Sequence, residues 1–223
     1  MKTDLRAELS ISNLMLMYVG NLEGYQGIDL LLESFALTLQ KNNKLDLVII
    51  GGETSDIQKY KNYAQTLGIF SQVHFLGAKP VEHLAMYLLQ ADILVSPRIK
   101  GNNTPMKLYS YLHSGKALLA TNLPTHTQVV DSGIAMLADP NAEAFSVGML
   151  RLVADKNLRL SLGSAGKNLI EQKHTYTAFS KKLNSLYDWL ESELVYNTQP
   201  VSNWQKFPQQ KLSDNGRPLS QLL

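Results

Sequence analysis

Six short runs of mostly apolar residues recur along the chain, and they limit the folds that are open to it. The runs occupy residues 14–19, 45–50, 73–76, 93–95, 117–120 and 134–137, and Gly, Pro, Asn or charged residues flank each one. Continuous apolarity without alternation is typical of strands covered on both faces, which occur in parallel sheets. The sequence therefore predicts a parallel sheet of about six strands.

Segments with a helical period separate these runs. We predict helices over 28–39, over 54–68 with threonine as the N-cap and glycine at the end, over 80–88, and over 104–114 with a Thr-Pro start. Strands that alternate with helices predict an α/β fold in which helices cover both faces of the sheet. The expected architecture is a Rossmann-like, doubly wound parallel sheet.

The pattern changes after the last apolar run. One helix is predicted to start at Asp139–Pro140, a second to cover 158–169, and the final helix to cover 176–196, so we expect a C-terminal helical cover. Residues 197–223 contain three of the eight prolines and five glutamines, and this composition favours a polar tail. We therefore predict one Rossmann-like domain over 1–196 and a tail over 197–223.

The composition excludes several function classes. The 223 residues include no cysteine, which removes disulfides, thiolate catalysis and sulfur-based zinc sites. A net charge of +2 without a dense basic block argues against a nucleic-acid partner. The five histidines lack metal-ligand spacing and no Asp-x-Asp occurs, so no metal is assigned. No apolar run is long enough to cross a bilayer, and the expected location is the cytoplasm.

Ligands of open parallel sheets bind beyond the C-terminal ends of the strands, and the first loop at that edge is rich in glycine. It contains Gly20, Gly24 and Gly27, and it precedes a predicted helix. Its free N–H groups are candidates for receiving phosphate, whereas the alternative is a tight strand-to-helix turn. The spacing matches neither the dinucleotide fingerprint nor the P-loop.

The loop after the fourth run is the most informative. Arg98, Lys100 and Lys107 lie around the helix start at Asn103–Thr104. Cations and backbone N–H groups at a helix start predict a site for an anion such as a diphosphate. The alternative is an Asn or Thr N-cap surrounded by solvated lysines.

The chain resembles the C-terminal, donor-binding half of group 1 nucleotide-sugar glycosyltransferases, which have the GT-B architecture and are similar to family 4. The residues that carry the resemblance are 18–22, 27–31, 73–77, 91–97 and 103–121. The resemblance implies transfer of a sugar from a nucleoside-diphosphate sugar to an acceptor, with retention, in polysaccharide or glycan biosynthesis. It also implies an N-terminal acceptor domain that is missing from this chain, and peripheral membrane association of the full-length protein. The isolated domain is expected to be inactive, and no cofactor is expected.

The resemblance also assigns donor-binding residues, although it assigns no catalytic one. The loop after Gly77 is expected near the base, and Ser110 is expected to face the ribose. The full set of expected donor-binding residues is Gly20, Asn21, Gln26, Gly77, Arg98, Asn102, Asn103, Thr104, Lys107 and Ser110.

The sequence departs from the family pattern at charged positions. Asn21 and Gln26 replace an Arg or Lys pair, and the two glutamates of the family are replaced by Asn102 and Ser110. Loss of a carboxylate that accepts the ribose hydroxyls is worth about 1.5 to 3 kcal/mol, or roughly 10- to 100-fold in affinity. Two hypotheses follow. Either Arg98 and Lys107 take over the diphosphate contacts, or the chain is a catalytically degenerate nucleotide-sugar or protein-binding module.

Overall fold

The computed structural model describes residues 4–197, and its centre is a six-stranded parallel sheet. The strands are β1 (Leu14–Val19), β2 (Leu45–Ile50), β3 (Val73–Phe75), β4 (Ile93–Ser96), β5 (Ala117–Thr121) and β6 (Met136–Ala138). Their order is β3-β2-β1-β4-β5-β6, and every neighbouring pair is parallel. The prediction of a doubly wound sheet of about six strands is confirmed.

Helices connect the strands and follow them. They are α1 (Leu5–Glu8), α2 (Ile28–Leu39), α3 (Thr54–Thr66), α4 (Leu84–Leu88), α5 (Lys107–His113), α6 (Pro124–Thr127), α7 (Ala142–Ala154), α8 (Lys156–Lys173) and α9 (Tyr176–Asn197). Short 3₁₀ turns occur at Gly24–Gln26, Phe70–Gln72 and Val81–His83. Asn141 and Asp155 cap α7 and α8 through their side chains.

Strand side chains alternate between two apolar cores, one on each face of the sheet. Leu16 and Tyr18 of β1 lie in one core with residues of α2, α3 and α7, whereas Met15 and Met17 lie in the other with residues of α4 and α5. All four side chains are fully buried. Because both faces are covered, β1 has no polar side, and this explains the continuous apolar run in the sequence.

Residues 4–179 belong to one compact unit, and residues from Ser180 to the end of α9 belong to another. The first unit contains the sheet together with α7 and α8, both of which pack beside it. The predicted division into 1–196 and 197–223 stays a prediction, because the tail beyond residue 197 lies outside the described residues. Within the described part of the chain, no helix is both long enough and apolar enough to cross a bilayer.

Several predicted boundaries differ from the structure. α4 begins at Leu84, after the 3₁₀ turn, and not at residue 80, and α7 begins at Ala142 and not at Asp139–Pro140. Thr54 is the first residue of α3, and the N-cap is Glu53, whose side chain makes no capping bond. β6 begins two residues late, because the N–H groups of Ile134 and Ala135 donate to the Asp131 carbonyl in a turn. α5 starts at Lys107 instead of at the Thr-Pro pair, and this difference changes the interpretation of the site below.

Candidate functional site

Backbone hydrogen bonds join the loops that follow β1, β2 and β3. The Gly20 N–H donates to the Ile50 carbonyl at 3.0 Å, and the Gly51 N–H donates to the Gly77 carbonyl at 2.7 Å. Gly51 has a φ of +111°, and a Cβ at this position would collide with the Gly20 carbonyl. The first two loops therefore lie in direct contact, and this contact leaves room only for glycine at position 51.

The first loop also packs against the segment that follows β4. Gly27 has a φ of +74°, and a Cβ there would overlap the Pro97 carbonyl. Beside this contact, the Ile99 N–H donates to the Tyr25 carbonyl at 3.0 Å. These two contacts hold the segment that contains Arg98 next to the glycine-rich loop.

Lys107, from the first turn of α5, reaches back over this loop. Its Nζ donates to Tyr18 Oη at 2.9 Å and to Gln26 Oε1 at 3.0 Å. Gln26 Nε2 donates in turn to Asn21 Oδ1 at 2.8 Å. A Cβ added to Gly20 would lie 2.8 Å from Lys107 Nζ, so Gly20 borders the ammonium group. Three predicted site residues, Gly20, Asn21 and Gln26, are therefore brought together around a fourth, the cation Lys107.

Arg98 is the second cation of the site and is only 7% exposed. Its Nε donates to the Lys100 carbonyl at 2.8 Å, and its Nη2 donates to Asn103 Oδ1 at 2.9 Å. The guanidinium lies 5.0 Å from the centroid of the Tyr25 ring, which is a cation–π contact. These contacts orient the guanidinium without neutralising it.

In the part of the chain that the structure describes, neither cation has a carboxylate partner. The ion pairs within residues 4–197 involve other basic side chains, namely Arg6, His74 and Lys167. Burial, together with the positive charge of Arg98, lowers the pKa of Lys107 from 10.5 to about 7. Within residues 4–197, the buried Arg98 and the partly buried Lys107 have no carboxylate as a counter-charge, and an anion would stabilise such an environment.

The structure corrects one expectation about backbone donors. Because α5 starts at Lys107, the N–H groups of Asn103 and Thr104 do not lie in the first turn of a helix. In the first loop, the N–H groups of Gly20, Gln26 and Gly27 bond to other backbone carbonyls, so a phosphate could use only donors between these positions. The side chains of the two cations are therefore the main elements of the candidate anion site.

The remaining predicted residues lie outside these two networks. Asn102 is exposed, and Thr104 Oγ1 accepts a hydrogen bond from Gln128. Ser110, one turn beyond Lys107 on α5, borders a cavity of about 460 Å³ whose other walls include Val81 and Leu84. A Cβ on Gly77 would contact only Ile57, so the glycine is not required by close packing. Its contribution is the carbonyl that accepts the hydrogen bond from the Gly51 N–H.

With this geometry in place, a comparison with protein families decides the assignment. Residues 2–169 match the family model described as glycosyl transferases group 1. The chain belongs to this family. Among curated relatives, a protein named as an uncharacterized glycosyltransferase from Methanocaldococcus jannaschii is 24% identical over 183 residues, which are 80% of this chain and 46% of the relative. The chain spans about half the length of the curated relatives it matches.

Solved structures of group 1 and related glycosyltransferases have the same fold. The C-terminal domain of a Francisella tularensis group 1 glycosyl transferase, LpcC, aligns with a TM-score of 0.68 at 19% identity, over 79% of this chain and 94% of that one. Anabaena HepE, solved in complex with UDP, aligns with a TM-score of 0.74 at 14% identity, over 82% of this chain and 51% of that one. The expected GT-B-type, Rossmann-like domain is thereby confirmed.

Sequence reasoning on this group 1 chain assigned no site role to two tyrosines. Tyr18 lies in the first apolar run, yet its Oη accepts from Lys107 and donates to the Asn21 carbonyl at 2.7 Å. Tyr25 lies in the glycine-rich loop, and its ring contacts Arg98. The sequence signal that could have identified both residues is their position: Tyr18 just before the glycine-rich loop at the end of β1, and Tyr25 within that loop.

Proposed function

We propose that this chain binds a nucleoside-diphosphate sugar and is the donor-binding half of a retaining glycosyltransferase of the hexosyltransferase type. An N-terminal acceptor domain of the full-length protein would supply the second substrate, so the domain alone binds the donor without turnover. No metal or other cofactor takes part in the proposed reaction. A cytoplasmic location and peripheral membrane association are part of the same proposal.

The observation that carries the proposal is a pair of cations, the buried Arg98 and the partly buried Lys107, that have no ion-pair partner within residues 4–197. Arg98 and Lys107 lie at the C-terminal edge of the sheet, where ligands of open α/β folds bind. A diphosphate offers negatively charged oxygens to both groups. The shared fold favours the same ligand class, because HepE was solved with UDP and with UDP-glucose.

The chemistry follows from charge. Transfer of the sugar leaves a nucleoside diphosphate on which negative charge grows as the glycosidic bond breaks. Preorganised cations near that charge stabilise the transition state more than the ground state. In this proposal, Arg98 and Lys107 do this work in place of the family's first-loop cations, because Asn21 and Gln26 carry no charge.

Titration of the full chain with UDP, GDP and UDP-glucose by calorimetry tests the proposal. We expect saturable binding to at least one of the three. Loss of one charge-assisted contact costs about 1.5–3 kcal/mol, so Arg98→Ala and Lys107→Ala should each weaken binding by roughly 10- to 100-fold.

Lys44→Ala is the matched control. It removes the same charge from an exposed position just before β2, at the opposite edge of the sheet. Its affinity should equal that of the unchanged chain. Unaltered affinity in both Arg98→Ala and Lys107→Ala would rule out the proposed diphosphate site.

Asn102 and Ser110 favour a second candidate function. With no carboxylate at these two positions, the chain would be a nucleotide-sugar or protein-binding module that has lost catalysis. The full-length protein separates the two functions: measurable transfer from any bound sugar nucleotide supports the enzyme, and binding without transfer to any acceptor supports the module.

A further inference from the structure

A buried polar network lies directly beneath Arg98. Its members are Ser96 at the end of β4, Thr121 at the end of β5 and His126 in α6, and each side chain is at most 1% exposed. Apolar side chains fill most of the surrounding core. A polar side chain whose hydrogen bonds are all made within an apolar core fixes the positions of its hydrogen-bond partners, because any other positions would leave it unpaired at a cost in free energy.

The hydrogen positions in this network follow from the acceptors. Thr121 Oγ1 donates to the Arg98 carbonyl at 2.5 Å, since a carbonyl only accepts. His126 Nδ1 lies 3.0 Å from the Thr121 carbonyl and 3.1 Å from Thr121 Oγ1, whose hydrogen is already committed. The proton of the imidazole must therefore be on Nδ1.

The other ring nitrogen then has a free lone pair. Ser96 Oγ lies 2.8 Å from His126 Nε2 and donates to it. Burial lowers the pKa of His126 to about 4, with Arg98 and Lys107 acting in the same direction against the backbone hydrogen bond to Thr121. The imidazole is neutral at physiological pH, and all its polar atoms are satisfied.

A Ser–His pair also invites interpretation as a nucleophile and its base, but this geometry argues against that role. Ser96 and His126 are 1% and 0% exposed, so no substrate reaches either of them. The network ends instead on the main chain of Arg98.

We propose that Thr121 and His126 are positioning residues that fix the main chain of Arg98, so that its guanidinium is presented to the diphosphate of the donor. The inference rests on the proposed function for its ligand and on the contacts above for its geometry. The Thr121 hydroxyl holds the Arg98 carbonyl from the sheet side, and neutral His126 holds that hydroxyl in its donating orientation.

The Arg98 segment is thereby held on both sides. Gly27 packs on the preceding Pro97 carbonyl, the following Ile99 N–H bonds to Tyr25, and Thr121 bonds to the residue between them. Removing the Thr121 bond frees the peptide that carries the guanidinium. The affinity for an anion then falls because the Arg98 guanidinium is less well positioned. Thr121 itself is buried and does not contact the ligand.

A double-mutant cycle in the full chain separates positioning from a general structural effect. Thr121→Val keeps the shape and removes the hydroxyl, whereas Thr121→Ser keeps the hydroxyl and is the matched rescue variant. With UDP-glucose as the probe, Thr121→Val should weaken binding by about 3- to 10-fold and Thr121→Ser by less than about 2-fold. In an Arg98→Ala background, Thr121→Val should add no further loss. An equal loss in both backgrounds, or none in either, overturns the proposal.

A second measurement does not depend on nucleotide binding. Nitrogen-15 NMR of the free chain should show His126 as the Nδ1–H tautomer, and the Arg98 Nε–H signal should be slow to exchange because it bonds to the Lys100 carbonyl. In Thr121→Val this signal should exchange faster, and in Thr121→Ser it should not. An unchanged signal, or an Nε2–H tautomer, refutes the positioning role. If the NMR result holds but the chain binds no sugar nucleotide, the proposed function fails alone.

Discussion

Lys107 Nζ lies 4.0 Å from the centroid of the Tyr18 ring and donates to the hydroxyl of the same side chain at 2.9 Å. The ring face and the phenol oxygen both attract the ammonium, and neither carries a full negative charge at neutral pH, since a phenol is protonated there and burial raises the pKa of Tyr18 still further. These two contacts hold Lys107 in place without neutralising its protonated form, and a pKa of about 7 keeps that form populated at and below neutral pH.

Binding of a sugar nucleotide should depend on pH through Lys107. The pKa of about 7 in the free protein must rise when a phosphate lies beside the ammonium, so binding takes up a proton above pH 7. Affinity for UDP-glucose should be highest below pH 7 and fall by up to about tenfold per unit between pH 7 and 9. Calorimetry in buffers of different ionisation enthalpy measures both quantities.

UDP-glucose is the suitable probe because its diphosphate keeps the same charge over this range. Lys107→Gln should bind more weakly and without the slope. A slope that persists in this variant would assign the titration to another group.

The stability of the free chain should change with pH in the opposite sense. Because the pKa of Lys107 is 10.5 unfolded and about 7 folded, the unfolded chain binds more protons between these values. The free energy of unfolding should therefore rise from pH 7 to pH 9. Urea denaturation should show this rise in the unchanged chain and a smaller one in Lys107→Met, and parallel curves for the two proteins would contradict it.

Substitution of Gly27 should destabilise the fold strongly. Gly27→Ala places a Cβ against the Pro97 carbonyl and holds a non-glycine residue at a φ of +74°, so we expect a loss of about 2–5 kcal/mol. Gly24→Ala is the control in the same loop, because nothing lies within 4 Å of its added Cβ. Similar urea midpoints for the two variants would disprove the close approach.

Tyr111 should matter for stability through its hydroxyl. The Val19 N–H donates to Tyr111 Oη at 2.6 Å, and the hydroxyl is positioned to donate to the Val19 carbonyl at 3.2 Å. Tyr111→Phe leaves these backbone groups unpaired in a buried site, which costs about 1–3 kcal/mol. Tyr109→Phe, on the same helix but half-buried, should change stability by less than about 0.5 kcal/mol. Calorimetric unfolding compares the two, and equal effects would count against the Val19 interaction.

The sheet was predictable because burial on both faces leaves a strong local trace. In β1 and β5, every residue contributes to one of two cores or is small, so the strand appears in the sequence as an unbroken apolar run. The alternation with helices then fixes a parallel order. β6 was placed less well, since a turn at Asp131 uses apolar residues that the pattern assigned to the strand.

The site was predictable in its residues but not in its contacts. Arg98 and Lys107 stood out as cations at a strand end, whereas the Lys107 interaction with Tyr18 joins positions 89 residues apart. The start of α5 was wrong for a similar reason. The Thr-Pro signal is local, and the Thr104 side chain is bound instead by Gln128, which lies in another loop. Local patterns do not report such long-range partners.

The two cations, which have no ion-pair partner among the described residues, also make the site locally frustrated in the energy-landscape sense. Arg98 and Lys107 repel each other within a fold whose remaining contacts are mutually supportive, and such local conflict is characteristic of functional sites. An anion that binds only the folded chain relieves this conflict and adds about 2.7 kcal/mol at a concentration one hundred times its Kd. The ligand would then act as a thermodynamic part of the fold, and its concentration would help to set the lifetime of the folded chain.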